Sequence, residues 1–121
     1  MLPQNLRLKK KSEFTATFFQ GRYVNSDLFT LNIGKNKTSL DYQCKVAFVV
    51  SKKTDKRAVV RNLIKRRMRA AYWQIIKDNN IDLTRWMSMI FIAKNPCTEA
   101  TYEQILSQMK YIINKGLKKY V

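Results

Sequence analysis

The sequence predicts a single-domain α+β fold in which one mixed sheet packs with helices, and three observations predict it. Segments with strand periodicity interleave with segments of helical periodicity in the order α-β-β-β-α-β-α. The length of 121 residues suits one domain, taken as 1–121, and can bury a real core without staples. Apolar residues make up 45% of the chain, with three glycines and no repeat or linker-like stretch, which argues against disorder.

Residues 1–11 form a basic lead-in that ends in Lys9-Lys10-Lys11. A short helix is expected over 12–20, with Ser12 as its N-cap, Glu13 in its first turn and Gly21 as a left-handed C-terminal cap. Phe14 and Phe18 fall one turn apart on one face of it, with Phe19 beside them. Tyr23-Val24 can add a short strand. Over 28–33, Phe29, Leu31 and Ile33 alternate with Thr30 and Asn32, which reads as a half-buried strand. Gly34 to Lys37 is turn chemistry, and 45–50 is apolar enough for a strand buried on both faces.

A long helix is expected from Ala58 to about Lys77, then a loop at Asp78-Asn79-Asn80 and a last strand over Trp86 to Ala93. Asn95-Pro96 breaks that strand. Thr101 and Gln104 have capping-box spacing and open a closing helix that runs to about Lys119. Ile105, Met109, Ile112 and Ile113 supply its apolar stripe.

Charge bounds the function most tightly. Twenty-four Lys and Arg stand against eight Asp and Glu, a net charge of +16, and a field of that strength points to a polyanion, most often nucleic acid. Half of the excess lies in residues 52–69, where nine bases accompany Asp55 alone. On a helix, Val60, Ile64, Met68, Ala71 and Ile75 share an apolar arc of roughly 80°, and Arg61, Asn62, Lys65, Arg66 and Arg69 fill the next, of roughly 140°. Solvated helix faces usually mix acids with bases, but no acid lies between Asp55 and Asp78. Phosphates would relieve that repulsion.

Other chemistry is poorly supplied. The chain has no His, its carboxylates are scattered, and its two cysteines lack metal-ligand spacing, so no catalytic residue and no metal site is expected in the polypeptide. Cys44 and Cys97 read as reduced thiols of a cytoplasmic protein, since neither a signal peptide nor a membrane-length apolar run is evident. Tyr72 and Trp73 are expected in the core or at a helix–sheet contact. Phe14 and Phe18 fit either a core or a platform for stacked bases.

The run Ser51-Lys52-Lys53, followed by Ala58-Val59-Val60-Arg61-Asn62 and by Ile64-Lys65-Arg66 with Arg69, resembles the signature of the bacterial ribonuclease P protein subunit. Leu8-Lys9-Lys10 with Phe14, Phe18 and Gly21 resembles that family's first helix, and Ile92-Ala93-Lys94 with Pro96 the end of its last strand. Two positions depart: Leu63 replaces the second arginine of an Arg-Asn-Arg motif, with Arg67 beside it to supply the charge, and Asn32 replaces an aromatic residue found in some members. The resemblance implies a left-handed βαβ crossover and a ribonucleoprotein that removes the 5′ leader of precursor tRNA. It implies that a catalytic RNA subunit, with its Mg²⁺, performs the hydrolysis. It also implies that Arg61, Asn62, Lys65, Arg66, Arg69, Lys52 and Lys53 bind that RNA, and that Phe14, Phe18 and Lys94 line a cleft for the leader. Precursor tRNA is then the substrate, with no membrane or protein partner required. A structural RNA-binding protein of ribosomal type explains the charge equally but not these motifs together. A DNA-binding helix is less well supported, because no helix-turn-helix pair or dimerisation seam accompanies it.

Overall fold

The computed structural model describes residues 6–36, 44–78 and 86–120. Helix α1 spans Lys11–Phe19, strands β1 Arg22–Asn25, β2 Phe29–Ile33 and β3 Lys45–Val49, helix α2 Ala58–Asp78, strand β4 Ser88–Ala93 and helix α3 Tyr102–Lys119, with a 3-10 turn at Asn95–Glu99. The expected order of elements is observed. The strands lie side by side as β1-β2-β4-β3, with β1–β2 and β2–β4 antiparallel and β3–β4 parallel. The parallel pair flanks α2 in sequence, so β3-α2-β4 is a crossover unit, as parallel neighbours require.

Strand alternation divides the sheet into two unlike faces. Val24, Phe29, Leu31, Ile33, Val46, Met89 and Phe91 point to one side, where they form the main core with Ile64, Met68, Ala71, Tyr72 and Ile75 of α2 and Ile105, Met109, Ile112 and Ile113 of α3. Phe91 is its centre, in ring contact with Phe29, Phe48 and Tyr72. The opposite face carries a small cluster of Leu8, Ala47 and Ile90, on which Phe14, Val49 and Ile92 pack. Two helices thus cover one face and the short α1 only part of the other.

Several local expectations are corrected. Ser12 lies inside α1, whose N-cap is Lys10; the Glu13 carboxylate accepts the Lys10 backbone N–H at 3.1 Å and does the capping. β3 is an edge strand with a half-buried C-terminal half, whereas central β4 is the strand buried on both sides. The lead-in shields part of that edge: Arg7 bridges Val46, and the Leu8 N–H donates to the Val46 carbonyl at 2.9 Å. Trp86, fully buried, precedes β4 and bridges Asn36 rather than starting the strand. Asp78 ends α2, while Lys37, Asn79 and Asn80 lie outside the described residues.

Other local chemistry is as expected. Gly21 follows α1 at φ 63° and its N–H donates to the Phe18 carbonyl at 3.1 Å, a left-handed cap. At α3, the Gln104 N–H donates to Thr101 Oγ1 at 3.2 Å and the Thr101 N–H to Gln104 Oε1 at 2.9 Å. Thr101→Ala is therefore expected to cost about 1 kcal/mol in urea unfolding with RNA affinity unchanged. A loss of only a few tenths would mean that α3 is held by its apolar stripe alone.

Candidate RNA-binding surface

The acid-free face of α2 emerges as a continuous cationic surface because its apolar arc is fixed in the core. Ile64 and Met68 are buried, whereas Asn62, Arg66 and Arg69 are exposed and Arg61 and Lys65 half-exposed. Lys52 and Lys53 are exposed in the loop that leads into α2. Seven of the expected contacts thus lie along one helix and its approach. Arg61 is partly committed: its Nη1 donates to the Asp55 and Lys56 carbonyls at 3.0 and 2.7 Å, which ties that loop to the helix. Asp55 pairs with Arg57 at 3.0 Å, and the Arg57 hydrogen bonds hold its carboxyl below the ordinary range.

Arg67, expected to supply the charge missing at position 63, is engaged within the fold. It is half-buried and donates from Nη1 to the Ala100 carbonyl at 3.2 Å, bracing α2 against the start of α3. Position 63 accordingly presents an aliphatic side chain, 39% exposed.

α1 is seated by a buried hydroxyl pair. Thr17 Oγ1 and Ser88 Oγ are 2.5 Å apart, and Thr17 also donates to the Glu13 carbonyl at 2.8 Å. Gly34 leaves room for this pair, since a Cβ there would run into the Ser88 side chain. Lys45 and Glu13 form an ion pair at 3.0 Å on the same side. Burial alone raises the Glu13 carboxyl; the Lys45 hydrogen bond, the Lys10 N–H and the Lys45 charge outweigh it and hold the carboxyl below its usual range. α1 is thereby held against β4.

A groove of about 210 Å³ opens at this margin, lined by Arg7, Leu8, Phe14 and Ala47 on one side and by Lys65 and Arg69 of α2 on the other. Phe14 is half-buried on Leu8, Ala47 and Ile90, so it serves as a core residue and as a groove wall at once. One turn further along, Phe18 is 46% exposed. Beyond α1 the half-buried Thr30, Asn32, Val49 and Ile92 continue the same sheet face. Phe14, an apolar floor and cations are therefore contiguous, with Phe18 one turn along the same helix, the combination that single-strand binding uses.

Lys94 does not line the groove, although it follows Ile90 and Ile92 on the same face. It lies four residues beyond Ile90, about 13 Å along β4, and its Nζ donates to the Ser26 carbonyl at 2.7 Å. Its charge holds the turn between β1 and β2. Lys65 and Arg69 supply the groove cations instead. Sequence reading missed Arg7 and grouped Leu8 with the first helix, whereas α1 begins at Lys11 and both residues run along β3.

Among the described residues, no three His, Cys, Asp or Glu side chains gather in a way that could hold a metal ion. Cys44 and Cys97 are buried and unbridged, and burial pushes the Cys97 thiol up to about 11, far from a thiolate nucleophile. Tyr72 is buried beneath the sheet as expected, and Trp73 packs at the core margin with Lys77 over its ring at 5.3 Å. No helix among the described residues is long and apolar enough to cross a membrane.

Known proteins of one family resemble this chain over most of its length. The sequence model of the family described as Ribonuclease P matches residues 2–116. The ribonuclease P protein component of Alkaliphilus metalliredigens is 32% identical over 114 residues, 94% of this chain and 96% of that protein. That of a Cyanothece species is 28% identical over 129 aligned positions, 96% of this chain and 95% of that protein. The solved structure of the Staphylococcus aureus RNase P protein superposes with a TM-score of 0.74 at 26% identity, covering 94% of this chain and 95% of that one. The Thermotoga maritima protein shares the fold, with a TM-score of 0.72 at 17% identity over 90% of this chain and 96% of that one. The chain belongs to the bacterial ribonuclease P protein component family, which acts with an RNA subunit in removing the 5′ leader of precursor tRNA.

Proposed function

We propose that this polypeptide is the non-catalytic subunit of its ribonuclease P, docking the catalytic RNA on the α2 stripe and holding the precursor leader along the α1 side of the sheet. The observation that carries the reading is the juxtaposition of an acid-free cationic helix face with a groove walled by Phe14. Arg61, Asn62, Lys65, Arg66 and Arg69, with Lys52 and Lys53 at the helix entrance, meet RNA phosphates; Phe18 and the free face of Phe14 take leader bases. Lys65 and Arg69 are shared, since they line the groove as well as the stripe. That sharing couples leader binding to docking of the RNA subunit.

The chemistry itself falls to the RNA and the Mg²⁺ it binds. Hydrolysis of a phosphodiester needs a general acid and base or a metal held by carboxylates. The chain has no imidazole, and Glu13 and Asp55 are engaged by Lys45 and Arg57. Protein stripped of RNA, assayed with precursor tRNA in millimolar Mg²⁺, is expected to release no leader. The same protein added to the RNA subunit is expected to raise cleavage of precursor tRNA. Cleavage at the mature 5′ end by verified RNA-free protein, or no effect of the protein on the RNA subunit, would overturn the proposal.

A further inference from the structure

A second basic and aromatic surface lies at the opposite edge of the sheet, along β1. In α3, Tyr111, Lys115 and Lys119 recur at four-residue intervals on one helix face, and no acid follows Glu103 in the sequence. Two lysines in a last helical turn are ordinary partners of the helix dipole. This cluster extends well beyond them. Lys115 Nζ sits 5.8 Å from the Tyr111 ring and donates to the Asn25 carbonyl at 3.0 Å. Lys119 Nζ lies 5.9 Å from the Tyr23 ring and 5.3 Å from that of Tyr120, which also carries the Arg22 guanidinium at 5.0 Å.

Part of this construction protects the sheet edge. The Tyr120 hydroxyl accepts from the Tyr23 N–H and donates to the Tyr23 carbonyl, both at 3.1 Å, so it blocks strand addition there. Edge protection leaves two features unaccounted for. Tyr23 and Tyr111 remain 51% and 54% exposed, each beside a lysine. A shallow groove of about 420 Å³ also runs past Tyr111 and Lys115 to Asn25 and Ser26, with Asp27 as the one acid along it.

We propose that the β1–α3 edge is a second binding site for single-stranded RNA, with Tyr23 and Tyr111 as stacking platforms and Arg22, Lys115 and Lys119 as phosphate partners. Exposed rings interspersed with cations along one edge are the combination that binds unpaired strands. Duplex RNA offers no free base faces to such rings, so a single strand is the occupant. The site lies at the sheet edge opposite the groove beside α1, with Tyr23, the register partner of Asn32, at the far margin of the face that α1 partly covers.

The test counts strands. A fluorescent single-stranded RNA decamer, titrated into the full chain and followed by anisotropy and calorimetry, is expected to bind at two decamers per chain. Tyr111→Leu combined with Lys119→Gln is expected to leave one, while Phe18→Leu leaves the edge site filled. In Phe18→Leu protein, Tyr111→Phe should retain edge affinity and Tyr111→Leu lower it about tenfold, with a duplex of equal length unaffected by either. One decamer per chain in wild type, or a stoichiometry unmoved by the double substitution, would overturn the site. Equal losses for single and double strands would reduce it to nonspecific charge. These outcomes are independent of catalytic-RNA docking, which is read separately on the α2 variants.

Discussion

Replacing Lys65, Arg66 and Arg69 together with glutamine is expected to lower affinity for the catalytic RNA by about two orders of magnitude in 0.1 M salt. Each lost phosphate contact removes roughly 0.7–0.9 from the slope of log K against log salt, so three contacts flatten it by roughly 2–2.7. At 0.1 M salt that slope change corresponds to the stated loss of affinity. The thermal midpoint should hold or rise, because none of the three lies in the apolar arc and neighbouring like charges are relieved. Filter binding across a salt series measures the slope directly. An unchanged slope in a folded variant would make the stripe a solvated face. Arg67→Gln is the informative contrast: it breaks the bond to the Ala100 carbonyl, so it should lower stability by about 1 kcal/mol and leave the slope largely intact.

The second large effect separates two phenylalanines that the sequence presents as a pair. Phe18→Ala should change the thermal midpoint little, since the ring is half-exposed, and weaken precursor tRNA binding by the assembled particle by ~1–3 kcal/mol with mature tRNA unaffected. Phe14→Ala should do both kinds of damage. Its ring packs on Leu8, Ala47 and Ile90, so its loss costs stability, about 1–3 kcal/mol for a half-buried aromatic side chain, and opens the groove wall as well. Two numbers per variant decide the matter, the thermal midpoint and the ratio of precursor to mature affinity. If neither variant moves that ratio, the leader lies elsewhere.

What the sequence made legible follows from periodicity. The α2 arcs and the α3 stripe are helical repeats long enough to average out local exceptions, and both face the core as expected. The alternation in β2 likewise fixes which side chains turn inward. Strand order left no such trace. The run at 45–50 looks interior because it is apolar, yet it borders the sheet, and Leu8 supplies the missing neighbour from far away in sequence. Commitments of long cations were hidden for the same reason: Lys94 to Ser26, Arg67 to Ala100 and Lys45 to Glu13 are tertiary contacts between distant segments. The cap of α1 failed differently. Ser12 and Glu13 both offer capping chemistry, and Glu13, reaching back to Lys10, sets the boundary. The acid-free stretch after Glu103 is visible in the sequence, but its approach to Tyr23 and Arg22 is again a contact between distant segments.

The central claim, that the stripe takes the catalytic RNA while the α1 side of the sheet takes the leader, is tested most directly by photocrosslinking in the reconstituted particle. Precursor tRNA carrying 4-thiouridine in its leader should crosslink to peptides containing Phe14, Phe18 or the β2 and β4 residues beneath them. Crosslinks confined to the exposed face of α2, or to the Tyr23 and Tyr111 edge, would contradict it.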